Sequence, residues 1–174
     1  MVSMFKHLSG HHNIIVTGPQ RSGTRICAQM IAHDTGHKYV DEIAFGHEAH
    51  TPDGTDALIR ELESPLQVVI HAPAIFHVVA HFARRRAIVV VMKRDVDDIL
   101  ASQKRINWQH EEHERAKYPN SKGLALPLAK YNFWDSQKGF VSSWVEVDYA
   151  SLAGHPLFIP KDRRLKFEWN QTEE

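Results

Sequence analysis

Apolar and β-branched residues gather in four tracts: "NIIVTG" (13–18), "LQVVIHAP" (66–73), "AIVVVMKR" (87–94) and "FVSSWVEVDY" (140–149). The middle two are nearly continuous rather than alternating, the pattern of strands buried on both faces of a sheet. Between the tracts lie segments of helical character at 22–34, 53–63, 74–85 and 95–116. Strands alternating with helices predict an α/β fold of three layers, with a central, mostly parallel sheet covered on both sides. Residues 117–127 hold two prolines and a glycine, which predicts a loop or lid. The expected organisation is one domain over 1–174, with a core at about 13–158 and a basic, aromatic tail at 159–174.

Composition adds exclusions. Hydrophobic residues make up 43% of the 174 and charged residues 24%, an ordinary balance for a globular chain. Formal net charge is zero, so bulk electrostatics give no case for a nucleic-acid or membrane-surface partner. No apolar run approaches the ~20 residues that span a bilayer. The first residues lack an uninterrupted apolar stretch of the secretory kind. The single cysteine, Cys27, excludes an internal disulfide and fits a reducing compartment, so a cytoplasmic location is expected. Cys27 falls in the segment after the first tract and reads as a small buried side chain. The 13 histidines include the pairs His47/His50 and His110/His113. "HEAH" is one residue short of zincin spacing, and no tight set of four ligands accompanies it, so no metal is expected.

The chemistry concentrates after the first tract. In "VTGPQRSGTR", Gly18 and Gly23 are separated by four residues, the spacing of a phosphate-binding P-loop. Glycines let successive N–H groups turn inward, and the following helix offers its positive end to an anion. The next positions depart from a nucleotide-hydrolysing loop: Thr24 stands where the lysine belongs, and Arg25 where the magnesium-binding hydroxyl belongs. No tract that reads as a central strand supplies a Walker-B aspartate. Triphosphate chemistry leans on Mg²⁺ to neutralise charge; this loop is built for an anion without it.

These residues resemble the 5′-phosphosulfate loop of sulfotransferases, usually Pro-x-(Lys/Arg)-Ser-Gly-Thr-(Thr/Ser). The resemblance implies a P-loop NTPase-like fold of the sulfotransferase type. It also implies 3′-phosphoadenosine 5′-phosphosulfate as donor, held at the 5′ end by Gly18, Gln20, Arg21, Ser22, Gly23, Thr24 and Arg25. Arg21 would bridge sulfate and leaving phosphate, and Arg25 departs from the family's hydroxyl residue. In "VVVMKRDVDDILASQ", Arg94 and Ser102 stand eight apart, as do the family's 3′-phosphate ligands; Asp98 fits, and Val96 replaces a proline. "VVIHAPAIF" places His71 where cytosolic members carry the histidine that removes the acceptor's proton. "HKYVDEIAFG" offers Glu42, beside Asp41, where other branches use a glutamate. Both remain candidates, with Glu42 favoured. "VEVDYASLAGHP" resembles the family's strand-plus-tyrosine segment, with Ala150 at its glutamate position, and Arg163 and Arg164 loosely echo its last phosphate loop.

The implied reaction is in-line sulfuryl transfer to a hydroxyl or amine on a small molecule, glycan or peptide. A degenerate P-loop kinase or nucleotide hydrolase is the main alternative, and a non-catalytic nucleotide-binding module the third. The aromatics of "KYNFWDSQKGF" and Trp108 fit either an acceptor pocket or the core.

Overall fold

The computed structural model describes residues 3–45, 52–83 and 86–160. After a short 3-10 turn (Lys6–Gly10), strand β1 (Asn13–Thr17) leads through the glycine loop into helix α1 (Thr24–Thr35) and strand β2 (Lys38–Asp41). Helix α2 (Pro52–Glu63) and strand β3 (Val68–His71) follow. A 3-10 turn (Pro73–Val78) then runs into the single-turn helix α3 (Val79–Phe82) and strand β4 (Ala87–Lys93). Helices α4 (Val96–Arg105), α5 (Glu111–Arg115) and α6 (Leu126–Gln137) precede strand β5 (Trp144–Asp148) and a closing 3-10 segment (Tyr149–Gly154).

The strands form one five-stranded sheet in the order β2-β3-β1-β4-β5, parallel throughout. Because side chains alternate across a strand, the buried tracts feed two cores at once. Ile15, Val68, Ile70, Val89 and Val91 meet Leu58, Leu62, Ile75, Phe76 and Trp134 on one face. Ile14, Val16, Val69, Val90 and Met92 meet Cys27, Met30, Ile31 and Leu152 on the other. Cys27 is fully enclosed, and burial pushes its thiol well above its usual range. This is the three-layer α/β architecture that the tract pattern predicts.

Several elements differ from expectation in detail. The helix expected at 95–116 is broken between Arg105 and Glu111, where Asn107 takes a left-handed φ of 51° that a short amide side chain tolerates. The helix expected at 74–85 opens as a 3-10 turn that drives Ile75 and Phe76 into the core. The fourth tract pairs only over Trp144–Asp148, as a half-buried edge strand. Strand β2, short and polar, is absent from the four tracts, and α6 begins inside the expected loop. In α6, Tyr131 and Trp134 are buried in the interior, whereas Phe140 beyond it is exposed. His47, His50, Arg163 and Arg164 lie outside the described residues.

Candidate functional site

The sheet order makes β1 central, with the chain leaving towards β2 on one side and β4 on the other. The carboxyl ends of strands beside such a reversal leave a crevice where ligands bind in open α/β sheets. There the chain places a cleft of about 590 Å³, lined by the glycine loop, the ends of β3 and β4, and the α4–α5 connection.

The loop's shape follows from its glycines. Gly18 has φ 145°, and a Cβ there would sit 3.1 Å from Ser22 Oγ and 3.2 Å from the Met92 carbonyl. Gly23 has φ 98°, and its Cβ would fall 2.5 Å from the Tyr149 ring. Conformation therefore disfavours larger residues at both positions, and at Gly23 the space is closed as well. Arg21 also holds a left-handed φ, 72°, a strained backbone of the kind that clusters at ligand sites. Ser22 is buried and folds inward, its hydroxyl donating to the Pro19 carbonyl at 2.7 Å. Helix α1 starts at Thr24 without a side-chain cap, so its first N–H groups have no intrahelical acceptor.

One flank of the loop is cationic. Arg94, at the end of β4, donates from Nη1 to the Arg21 carbonyl at 2.9 Å and stacks 4.2 Å over the Tyr149 ring. Its Nε is buried without a hydrogen-bond partner among the described residues. The buried Ser102 hydroxyl accepts from Arg21 Nε at 3.1 Å and from Arg105 Nη2 at 3.3 Å. Arg21, Arg94 and Arg105 thus converge on one wall of the cleft. Arg105 escaped the sequence reading, although it lies three residues after Ser102 on the same helical face.

The other flank is a hydrogen-bonded chain. The β2–β3 register sets Asp41 beside His71, and His71 Nδ1 lies 3.1 Å from Asp41 Oδ2. His71 Nε2 lies 2.8 Å from Thr24 Oγ1. Asp41 also accepts from the Tyr39 hydroxyl at 2.8 Å and the Ile43 N–H at 3.1 Å. Burial raises the Asp41 carboxyl, but these bonds and the charges of His71 and Arg25 outweigh it, and the net shift is downward. Burial, the largest influence, lowers His71 from 6.5 to about 4 against the pull of Asp41. Arg25 leans back to Asp41 at 3.4 Å, its side chain 61% exposed. Glu42 faces the same cleft, with Oε2 accepting from the Ala74 N–H at 2.9 Å. Burial raises its pKa from 4.5 to about 7, opposed by that bond and reinforced by Asp41 and Glu114.

Beneath the cationic flank, the Gln20 amide is tied to a buried pair. Lys130 Nζ donates to Gln20 Oε1 and, at 2.7 Å, to Glu114; Gln20 Nε2 donates to Glu114 at 3.1 Å. Lys117 completes the group at 2.6 Å from Glu114. Among the remaining histidines, His110 lines the cleft beside Trp108, their rings edge to face. Away from the cleft, His33, Asp34 and His155 place ligand atoms within 4.8 Å of one another. His155 Nδ1 accepts from the Leu157 N–H at 3.1 Å, so the ring proton sits on Nε2 and is donated to Asp34 at 3.0 Å. Asp34 also accepts from the Phe5 N–H, so the cluster ties the segments around Phe5 and His155 to α1.

No family model matches this chain, and no curated protein does. Among solved structures, it is similar to shikimate kinase from Acinetobacter baumannii in complex with shikimate. The two share 14% identity over 82% of this chain and 87% of that one, with a TM-score of 0.50. A sugar kinase from Janibacter, unliganded, shares 14% identity over 79% of this chain and 85% of that one, with a TM-score of 0.43. The likeness to shikimate kinase establishes a P-loop NTPase-like α/β fold. As a fold, it sits closer to the kinase alternative than to the sulfotransferase resemblance.

Proposed function

We propose that this chain is a transferase that holds a nucleotide by two anionic groups and moves a sulfuryl group from 3′-phosphoadenosine 5′-phosphosulfate to a hydroxyl or amine. The convergence of Arg21, Arg94 and Arg105 beside the loop carries the reading. Three guanidinium groups held on one wall repel one another unless an anion sits among them, and the buried Arg94 Nε has no acceptor among the described residues. The loop N–H groups and Arg21 would hold the 5′ end of the donor, and Arg94, Ser102 and Arg105 its 3′-phosphate. Bound there, the donor supplies an activated sulfuryl group, while fixed donors around the leaving oxygen stabilise the charge that develops on it.

Glu42 is the proton acceptor this arrangement favours. Its carboxyl titrates near neutrality, and a base works best when its pKa is close to the working pH. His71 has both ring nitrogens engaged, by Asp41 and Thr24.

A small-molecule kinase is the second reading, and the likeness to shikimate kinase is the observation that favours it. Against it stand Thr24 in the lysine position and Arg25 in that of the magnesium hydroxyl. Thermal unfolding separates the two. Adenosine 3′,5′-bisphosphate at 100 times its Kd should stabilise the protein by ~2.7 kcal/mol, without magnesium. Stabilisation by magnesium·ATP alone would establish the kinase reading instead.

A further inference from the structure

We propose that Thr24 is a nucleophile, activated by His71 and Asp41 in a hydroxyl–imidazole–carboxylate triad, so that group transfer runs through a covalent threonine ester. The triad stands on its own geometry; only the nature of the transferred group, sulfuryl, rests on the reading above.

The hydrogen bonds assign the protons. Asp41 is held as an anion by the Ile43 N–H and the Tyr39 hydroxyl and can only accept. The proton between Asp41 and His71 therefore sits on His71 Nδ1, which leaves a lone pair on Nε2. Thr24 Oγ1 is 2.8 Å from that lone pair, so the threonine donates its proton to the imidazole. A hydroxyl serving as an anion donor would point its proton into the cleft. This one, in the lining of the cleft, gives its proton to His71 instead, as an attacking oxygen does. A nucleophile in reach of a base that a third group orients is the arrangement by which hydroxyls are activated. The open N-terminus of α1 borders the same cleft and offers its positive end to the charge that grows on the group under attack. Buried His71 stays neutral down to about 4 and so is a free base at neutral pH.

Thr24 Oγ1 forms a bond to the sulfur, the bond from sulfur to the leaving phosphate oxygen breaks, and that oxygen departs with the electron pair. The threonine proton passes to His71 Nε2, and Asp41 balances the imidazolium. In the return step the acceptor oxygen bonds to sulfur and loses its proton to Glu42. The bond to Thr24 Oγ1 breaks, and Thr24 recovers its proton from His71.

The test uses an arylsulfonyl fluoride, whose sulfur accepts a hydroxyl with loss of fluoride, and maps the adduct by peptide mass spectrometry on the whole chain. Labelling at Thr24 is expected in the wild type, retained in Thr24→Ser, lost in Thr24→Val and at least tenfold slower in His71→Ala and Asp41→Asn. Circular dichroism identifies the folded variants, and Thr24→Ser against Thr24→Val suffices if the His71 change unfolds the protein. The absence of an adduct at Thr24, or an undiminished rate in folded His71→Ala, overturns the proposal. Failure of the bisphosphate to stabilise the protein, with Thr24 still labelled, removes the sulfuryl reading and leaves the triad intact.

Discussion

The two flanks of the glycine loop solve opposite problems. On the side of β2 and β3, Asp41, His71 and Thr24 satisfy one another, and every proton has a partner inside the protein. On the side of β4 and α4, Arg21, Arg94 and Arg105 gather around the Ser102 hydroxyl and the Arg21 carbonyl, three positive charges on one wall. A satisfied chain of groups can move a proton without first recruiting a ligand. A crowded cationic wall is complete only when an anion arrives. On the proposed function, the contrast is one between reacting groups and holding groups within a single cleft.

Breaking the support beneath the cationic wall should have the largest effect on stability. Lys130 is almost fully enclosed and bonded to Glu114 and Gln20. Removing one partner of a buried pair costs ~3–5 kcal/mol. Lys130→Ala should fall near the low end in chemical denaturation, because Lys117 still neutralises Glu114. On the wall itself, Arg94→Ala should lower sulfuryl transfer, followed with radiosulfate-labelled donor, by ~10²–10³. The same variant should fold normally and lose its response to the bisphosphate.

The proton-handling flank is sharpened by pH. Glu42 is raised from 4.5 to about 7, so the folded state binds more protons than the unfolded state between those values. Its contribution to stability is therefore present in acid and lost as pH rises through that window. His71 is lowered from 6.5 to about 4, so the unfolded state binds the extra proton, and its contribution is lost as pH falls through that window. Urea titrations of Glu42→Gln against the wild type should show the variant gaining relative stability from pH 4.5 to 7. A flat difference would mean that the carboxyl is not buried as described. The smallest effect belongs to Arg25→Ala: its pair with Asp41 is mostly in water, so stability should change by less than about 1 kcal/mol.

Much of this site is legible along the chain because its parts are local. The loop follows β1 directly, and Ser102 lies in the helix that follows Arg94 closely in sequence, so both reach the same cleft. Other parts carry weak local signals. Asp41 closes a strand too short and polar to stand out, and its role depends on the neighbour that the sheet order gives it. Helix α6 shows no one-sided apolar stripe, since it buries Lys130 alongside Tyr131 and Trp134. The sequence shows Gln20 only as part of the loop; its tie to Lys130 and Glu114 crosses most of the chain.

By itself, then, the order of residues determined four of the five strands and where the glycine turn falls, because periodicity and turn chemistry act over a few neighbours. The tertiary structure alone decided which strand lies beside which, and with that the meeting of Asp41, His71 and Thr24 on one side and of three arginines on the other. Strand order is set by burying both faces of the sheet at once, a condition on the whole chain that no short stretch contains.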